Sequence, residues 1–208
     1  MRVVAIVLAA GAATRFGSTK QLAPLDGRPL LQHPLDALAA AGMDDVVVVL
    51  GAEAAAIESA VAWRSEHRRV NRRPADGLAS SLRVGLEAAG EDPATDAVLV
   101  VLGDQPSLRA DVIRAVLEAA STTDRPIVRP RYAGDGAPNP VLVRRAAWAI
   151  VEGLEGDRGL APLLAERSDL VLEVPVSGTI PDIDTPADLA TFRGSGRLGD
   201  VPAAEPRR

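Results

Sequence analysis

The sequence predicts an α/β protein: a single-domain three-layer sandwich whose mostly parallel sheet carries helices on both faces. Three observations lead there. Short apolar runs alternate with helical stretches along the whole chain, the pattern of a parallel sheet covered on both sides. The strongest runs, residues 3–8, 45–50 and 96–102, are continuously hydrophobic rather than alternating, as strands buried on both faces are. The 208 residues suffice for one full-sized core, 47% of them hydrophobic, but only 2% are aromatic, so Ala and aliphatic side chains must fill it.

Residues 3–8 are the first strand. Pro29 stands where a helix can start, and residues 30–41 carry that helix to a stop at Gly42. Residues 45–50 are the second strand, followed by an Ala-rich helix over 53–65 and a short strand over 69–71. Residues 77–89 form a helix, with Leu78, Leu82, Gly85 and Leu86 at helical spacing. Residues 96–102 are the third strong strand, 110–120 a helix, and 127–129 and 141–143 extended. Two helical pieces follow, 146–152 and 160–167, then a strand over 170–174 and a final helix over 186–192. The domain is expected to span residues 1–193. Residues 194–208, rich in Gly, Pro, Ala and Arg, read as a frayed tail.

Composition narrows the chemistry. There is no cysteine, which removes disulfides, thiolate metal sites and thiol nucleophiles together. The only histidines are His33 and His67, too few for a His-rich metal site, and both read as surface or packing residues. A net charge of −5, a pI near 5.1 and the scarcity of aromatic platforms argue against nucleic acid and anionic membranes as partners. No apolar run approaches the ~20 residues needed to span a bilayer. The chain opens on a strand rather than a signal peptide, so a cytoplasmic location is expected.

Any anionic ligand must then be held locally, and the first strand leads to a place for it. Leu8, Ala9, Ala10, Gly11, Ala12 and Ala13 carry side chains small enough, after Leu8, for backbone N–H groups to approach a ligand and form an anion-binding concavity. Arg15 and Lys20 follow and are expected to add mobile positive charge above it. The spacing fits neither a Walker A loop nor a dinucleotide fingerprint, because Gly11 and Gly17 are the only loop glycines and Ser18-Thr19 precede the Lys.

A second candidate site is Gly103-Asp104-Gln105-Pro106, at the carboxyl end of a strand, where open α/β sheets bind ligands. A carboxylate there suits Mg²⁺ bridging it to phosphate oxygens, although a turn with Asp104 capping the next helix reads equally well from those residues alone. In Pro181-Asp182-Ile183-Asp184-Thr185-Pro186 the alternation puts both carboxylates on one side of an extended segment. Either can complete a metal site, while the other caps the following helix. Asn71, Ser80 and Ser81 lie where the 77–89 helix opens and offer polar groups to a base or ribose; a plain helix N-terminus accounts for the serines almost as well. The run Arg64, Arg68, Arg69, Arg72 and Arg73 reads first as a solvated face, or else as a docking surface for an anionic cofactor or an acidic partner.

The stretch from Leu8 to Lys20 resembles the L-A-[AG]-G-x-x-x-R-[FM]-G-x-x-K signature of cofactor-directed nucleotidyltransferases, within them the MobA-like molybdenum cofactor cytidylyltransferases. Five segments over residues 3–192 fall in that family's order. The resemblance implies a Rossmann-like nucleotidyltransferase fold and transfer of a nucleotidyl group from an NTP to a terminal phosphate on an acceptor. It makes Gly103-Asp104-Gln105-Pro106 the metal motif, with Asp184 the second Mg²⁺ ligand, and Arg15, Lys20 and Asp104 the catalytic groups. It assigns Leu8, Ala9, Ala10, Gly11, Arg15, Lys20, Asn71, Ser80, Ser81 and Asp104 to the nucleotide. Asn139, Pro140, Asp157 and Arg158 match the acceptor side, although Pro138 replaces the family's usual Gly.

Ala10, where guanylyl-transferring relatives tend to carry Gly, together with Gln105 favours CTP over GTP. The Lys20-Gln21 pair is also similar to the isoprenoid-pathway cytidylyltransferases, which lack a G-D-Q-P motif. The implied partners are a phosphorylated pterin of the molybdenum cofactor type and a molybdenum hydroxylase client. Two other readings stay open: a nicotinamide-dependent oxidoreductase, against which the missing G-x-G-x-x-G counts, and a non-catalytic carrier of a molybdenum cofactor.

Overall fold

A computed structural model describes residues 1–11, 16–133 and 139–194. The seven-stranded sheet has the order β5-β4-β1-β6-β8-β7-β9. Its strands are β1 (Val3–Ala9), β4 (Val46–Leu50), β5 (His67–Val70), β6 (Ala97–Leu102), β7 (Ile127–Tyr132), β8 (Val141–Arg144) and β9 (Val171–Val176). β1 pairs in parallel with β4 and β6, β4 with β5, and β7 with β9; β8 runs antiparallel to both β6 and β7. The expected mostly parallel sheet is borne out, and the continuous apolar runs explain it. Every residue of β4 is buried, as are all of β1 after Val3 and all of β6 before Leu102.

Helices cover both faces. On one lie α1 (Gln32–Ala40), α2 (Ala54–Ala60) and α4 (Ala110–Ser121), packing Leu35, Leu38, Ile57, Ile113 and Val116 against Ala5, Val7 and Val48. On the other lie α3 (Leu78–Gly90), α5 (Trp148–Glu152) and α6 (Ala161–Glu166), whose Leu82, Leu86, Trp148 and Leu163 meet Ile6, Val49 and Val100. Alternate residues of β1 therefore feed two separate cores, the period-2 rule applied to a sheet with no wet face. α3 lies close on the sheet at Gly85, where a Cβ would stand 2.4 Å from Ile6 Cγ2.

Several boundaries differ from the sequence expectation. Residues 24–29 form a small antiparallel hairpin, β2 (Pro24–Leu25) with β3 (Arg28–Pro29), so Pro29 ends a strand rather than starting a helix. Asp26 and Gly27 both take positive φ, 48° and 76°, the primed turn that an Asp-Gly pair favours. α1 consequently begins at Gln32. α2 stops at Ala60, short of the expected residue 65. Val61 is extended, and the Gln32 Oε1 accepts from the Ala62 N–H at 2.9 Å, holding the chain outside the helix. The strand expected over 69–71 is β5, four residues long and starting at His67.

α7 (Pro186–Gly194) returns the chain to the hairpin. Its Leu189 joins Ala23, Leu25, Leu30 and Ile183 in a third apolar cluster, against which Phe16 and Phe192 pack. The N-terminus of α7 is closed by Thr185 and Asp188. Thr185 Oγ1 accepts from the Asp188 N–H at 3.1 Å, and Asp188 Oδ2 accepts from the Thr185 N–H at 2.8 Å and from that of Asp184 at 3.0 Å. This is a capping box with Pro at the first helical position. The helix therefore needs neither Asp182 nor Asp184 as its cap. Of the expected tail, only Gly194 lies within the described residues, as the last residue of α7. Among the described residues no helix is long and apolar enough to cross a membrane.

His33 is a buried packing residue whose Nε2 lies 3.0 Å from the Leu25 carbonyl of the hairpin. Burial holds its imidazole below the ordinary histidine pKa, and the Arg28 charge adds to this. Below about pH 6.5 the unfolded chain then binds more protons than the folded one, so stability falls as the pH drops through that value. Each unit of depression is worth about 1.4 kcal/mol. Chemical denaturation at a series of pH values should show a shallower acid-side loss for His33→Gln than for the wild type. At Gly85, Ala in place of Gly should cost about 1–3 kcal/mol through overpacking against Ile6, read as a lower urea midpoint with an unchanged slope.

Candidate functional site

β1 lies at the point where the chain turns from building one side of the sheet, β4 and β5, to the other, β6. In such sheets the crevice outside the carboxyl ends is where ligands bind. A cleft of about 420 Å³ occupies it. Leu8, Ala9, Ala10 and Gly11 form its floor, with Gly103 and Asp104 beside them from the loop after β6. The two loops pack closely. The Gly103 N–H donates to the Leu8 carbonyl at 3.0 Å, and a Cβ on Gly103 would stand 3.0 Å from both Ala9 Cβ and Leu31 Cδ1. Gln21, buried, donates its amide to the Ala9 carbonyl at 2.8 Å and to that of Gly11 at 3.2 Å. It thereby occupies two oxygens that would otherwise present negative charge to an anion.

Lys20 opens a single 3₁₀ turn, Lys20–Leu22, that Leu31 and Ala23 tie down by backbone hydrogen bonds. It is 8% exposed, so the expected mobile cation is instead a held one. Its Nζ donates to Asp104 Oδ2 at 2.6 Å and to Asp184 Oδ1 at 3.0 Å. Burial alone would lower the Lys20 pKa, but the Coulomb field and hydrogen bonds of the two carboxylates outweigh it, and the net shift is upward. The ammonium thus stays charged. Of the two acidic residues in the 181–186 segment, Asp184 is the one that reaches it.

Asp182 faces Gln105 instead, accepting the Gln105 amide at 2.6 Å. Although the Asp182 residue is exposed overall, its carboxyl packs on that loop. Partial desolvation, with the nearby negative charge of Asp104 and Asp184, raises its pKa despite the hydrogen bond from Gln105. Gln105 is 1% exposed and is not part of the cleft lining, which removes direct base contact as the reason it would favour cytidine. Asp104 does not cap α4, whose N-cap is Arg109 without a side-chain bond.

The cleft's far wall is the start of α3. Gly77, at φ +89°, precedes the helix, and a Cβ there would stand 2.4 Å from the Gly156 carbonyl carbon and 2.6 Å from Asp157 Oδ1. Only glycine lets the 156–158 turn close on this helix, and that closure brings Asp157 into the cleft lining. Asp157 is not the cap of α6, whose N-cap is Leu160. Ser81 lines the cleft; Ser80 and Asn71 sit behind it. Asn71 donates to Ser80 Oγ at 2.8 Å and Ser81 Oγ at 3.0 Å while accepting from the Arg73 N–H at 2.8 Å. Ser80 in turn donates to the Gly77 carbonyl at 2.7 Å.

Other expected residues are not brought together with these. Asn139 and Pro140, joined by a cis peptide bond, precede β8 outside the cleft lining, and Tyr132 Oη donates to the Asn139 carbonyl at 2.9 Å. Arg15, Pro138 and the Arg158 side chain lie outside what the structure describes. Four of the five arginines in the run are engaged: Arg64 with Asp36 and Glu66, Arg69 with Glu91, Arg73 with Asp76, and Arg68 stacked over Trp63. Gln21, Pro74 and Ala75 line the cleft without having been singled out. Gln21, beside Lys20, was the one with a legible signal.

A floor of small residues, a buried Lys and two convergent carboxylates, Asp104 from the loop after β6 and Asp184 from the segment before α7, meet beyond the carboxyl ends of the central strands, an arrangement suited to a nucleotide-handling transferase. The chain belongs to the MobA-like NTP transferase family, whose domain matches residues 5–171. It is 28% identical over 200 residues to the purine catabolism protein PucB of Bacillus subtilis, covering 91% of this chain and 95% of that one. The bifunctional protein GlmU of Sinorhizobium fredii is 37% identical over 121 residues, 55% of this chain but only 25% of that much longer protein. Among solved structures, Rv0371c of Mycobacterium tuberculosis superposes with a TM-score of 0.82 at 31% identity, over 93% of this chain and 98% of that one. The same protein is known as a manganese complex, matching at a TM-score of 0.81 and 30% identity over 94% of this chain and 100% of that one.

Removing the Asn71 side chain leaves two buried hydroxyls and a backbone N–H short of a partner. Asn71→Ala is expected to cost about 1–3 kcal/mol for each group left unsatisfied, seen as a lower thermal midpoint.

Proposed function

We propose that this nucleotidyltransferase moves CMP from CTP to the terminal phosphate of a molybdopterin-type molybdenum cofactor, releasing pyrophosphate, with Mg²⁺ held by Asp104 and Asp184. The observation that carries the reading is the meeting of Lys20, Asp104 and Asp184 beside the Ala9–Ala10–Gly11 floor of the cleft.

The donor set fits a hard divalent cation. Two carboxylates already surround one positive charge, and Asp104 Oδ1 is buried without a hydrogen-bond partner. Among the described residues no third acidic or imidazole group joins them, which suits Mg²⁺, since it is commonly held by one or two carboxylates plus substrate phosphates and water. When bound, the metal supplies neutralisation of the charge on the phosphate oxygens.

The chain's own residues do the rest. A phosphate nucleophile is already largely ionised at neutral pH, so no general base is required. That agrees with a chain without cysteine and with a buried His33 that packs on the hairpin. Backbone groups of the small-residue floor approach the phosphates, with Gln21 keeping two carbonyl oxygens engaged. Lys20 fixes positive charge at the same end, and Arg15 is proposed as the second cation. Ser81 and the α3 start face the nucleoside, with Asn71 and Ser80 bracing them. The preference for cytidine rests on Ala10 and the family resemblance.

Asn139, Pro140 and Arg158 are assigned to the acceptor side. Asp157 is better suited to hydroxyl or amino donors than to an acceptor phosphate, which its own negative charge would repel. A molybdenum hydroxylase is the client such a product would serve.

Pyrophosphate release should be followed with CTP, GTP, ATP and UTP, each with Mg²⁺, with and without molybdenum cofactor. Release that needs CTP and acceptor together, and is lost in Asp104→Ala, is expected. Lys20→Met should lower turnover by about 10²–10³, the range seen when one electrostatic donor to a transition state is removed. A folded protein that releases no pyrophosphate with any nucleotide would overturn the assignment, and release with GTP in place of CTP would move it to guanylyl transfer.

A further inference from the structure

Asp184 lies 164 positions from Lys20 in sequence, yet its carboxylate meets the Lys20 ammonium. Residues 180–185 belong to no helix or strand, and such a segment holds one conformation only if it is tied to something rigid. The Asp184 and Thr185 N–H groups bond to Asp188 of α7, and three further ties hold the segment, two of them leading to the loop that carries Asp104. The Ile183 N–H donates to the Asp104 carbonyl at 3.1 Å. The Gln105 amide donates to Asp182 Oδ1 at 2.6 Å. Between the two acidic residues, Ile183 plugs the apolar cluster of Ala23, Leu25, Leu30 and Leu189.

Gln105 is suited to this task. At 1% exposed it cannot exchange its bond to Asp182 for one to bulk water without opening the loop. It sits one residue from Asp104, and Asp182 sits two residues from Asp184, so its hydrogen bond acts with that from the Ile183 N–H to the Asp104 carbonyl to set the distance between the two segments that bear the cation-facing carboxylates. Lys20 pairs with Asp104 and Asp184, whereas the acidic group that Gln105 holds accepts the Gln105 amide.

We propose that Gln105 is a positioning residue: through Asp182 it clamps residues 180–185 to the loop after β6, so that Asp184 faces Asp104 across Lys20 and completes the two-carboxylate cation site. The assignment rests on the metal reading above and adds to it the device that holds the second ligand. Gln105 touches neither cleft nor substrate; it acts through Asp182 and Ile183. Outer partners of this kind typically contribute about 10–100-fold to metal affinity.

Mn²⁺ binding to the full chain without nucleotide, measured by electron paramagnetic resonance, tests this, with amide exchange of residues 180–185 as a metal-free readout. Gln105→Leu and Asp182→Ala should each weaken Mn²⁺ by about tenfold or more and speed exchange at Ile183. Asp182→Asn, which keeps an oxygen to accept the Gln105 amide, should retain wild-type affinity and exchange. Wild-type affinity and exchange in Gln105→Leu would overturn the proposal, as would an Asp182→Asn that loses affinity as fully as Asp182→Ala, since Asp182 would then act by its charge. Should Gln105→Leu not fold, the Asn and Ala variants at position 182 decide alone. A wild type that binds no Mn²⁺ would remove the metal reading, and exchange at Ile183 in the same variants would still decide whether Gln105 holds the segment.

Discussion

The Lys20 ammonium, held between Asp104 and Asp184, is the interaction around which the site is organised. An ammonium this deep is tolerated only when paired and hydrogen-bonded, because taking a lone charge out of water costs far more than packing returns. The converse holds for the carboxylates, which would repel each other across the same space without a cation between them. Each of the three residues therefore makes the other two placeable. They come from the loop after β1, the loop after β6 and the segment before α7, so satisfying this charge cluster fixes three distant parts of the chain at one end of the sheet.

The surrounding packing serves that constraint. The hairpin at residues 24–29, Ile183 and Leu189 make a small apolar cluster away from the two main cores, and its effect is to bring the C-terminal helix against the turn that bears Lys20. Glycine supplies the close approaches. Gly103 lets the two ligand loops touch, and Gly77, in a backbone region closed to side chains, lets the 156–158 turn meet α3 and put Asp157 in the wall. Small residues form the floor of the cleft, and Lys20, Gln21, Asp104, Ser81 and Asp157 supply the polar side chains of its lining.

Charge is partitioned in the same spirit. The chain carries a net −5, and the arginines of the 64–73 stretch are largely taken up by neighbouring Asp and Glu. Any attraction for a polyphosphate must therefore come from groups at a local site and not from a field spread over the surface.

Much of this was legible in the sequence because it depends on local pattern. Continuous apolar runs told of a doubly covered parallel sheet, and the small-residue loop and the Asp after β6 marked the ends of adjacent strands. What the sequence left open was settled by contacts between distant segments. Asp182 and Asp184 are equivalent by alternation, and only the docking of Ile183 into the hairpin cluster sends one to Lys20 and the other to Gln105. Lys20 reads as a mobile cation until burial and two carboxylates are seen to hold it. The sequence offers both Ser80 and Ser81, with Ser81 the better match to the family, and the helix phase puts Ser80 behind the cleft and Ser81 in it. The Asp-Gly hairpin carried a local signal, yet it was outweighed by the Pro29 that follows. The sequence by itself determined the layers and the two strand ends where a phosphate can be met, because periodicity and loop chemistry are short-range. Which carboxylate pairs with Lys20, which serine lines the cleft and how the cation is held were decided by the tertiary structure, because charge pairing and burial join residues 84 and 164 positions apart.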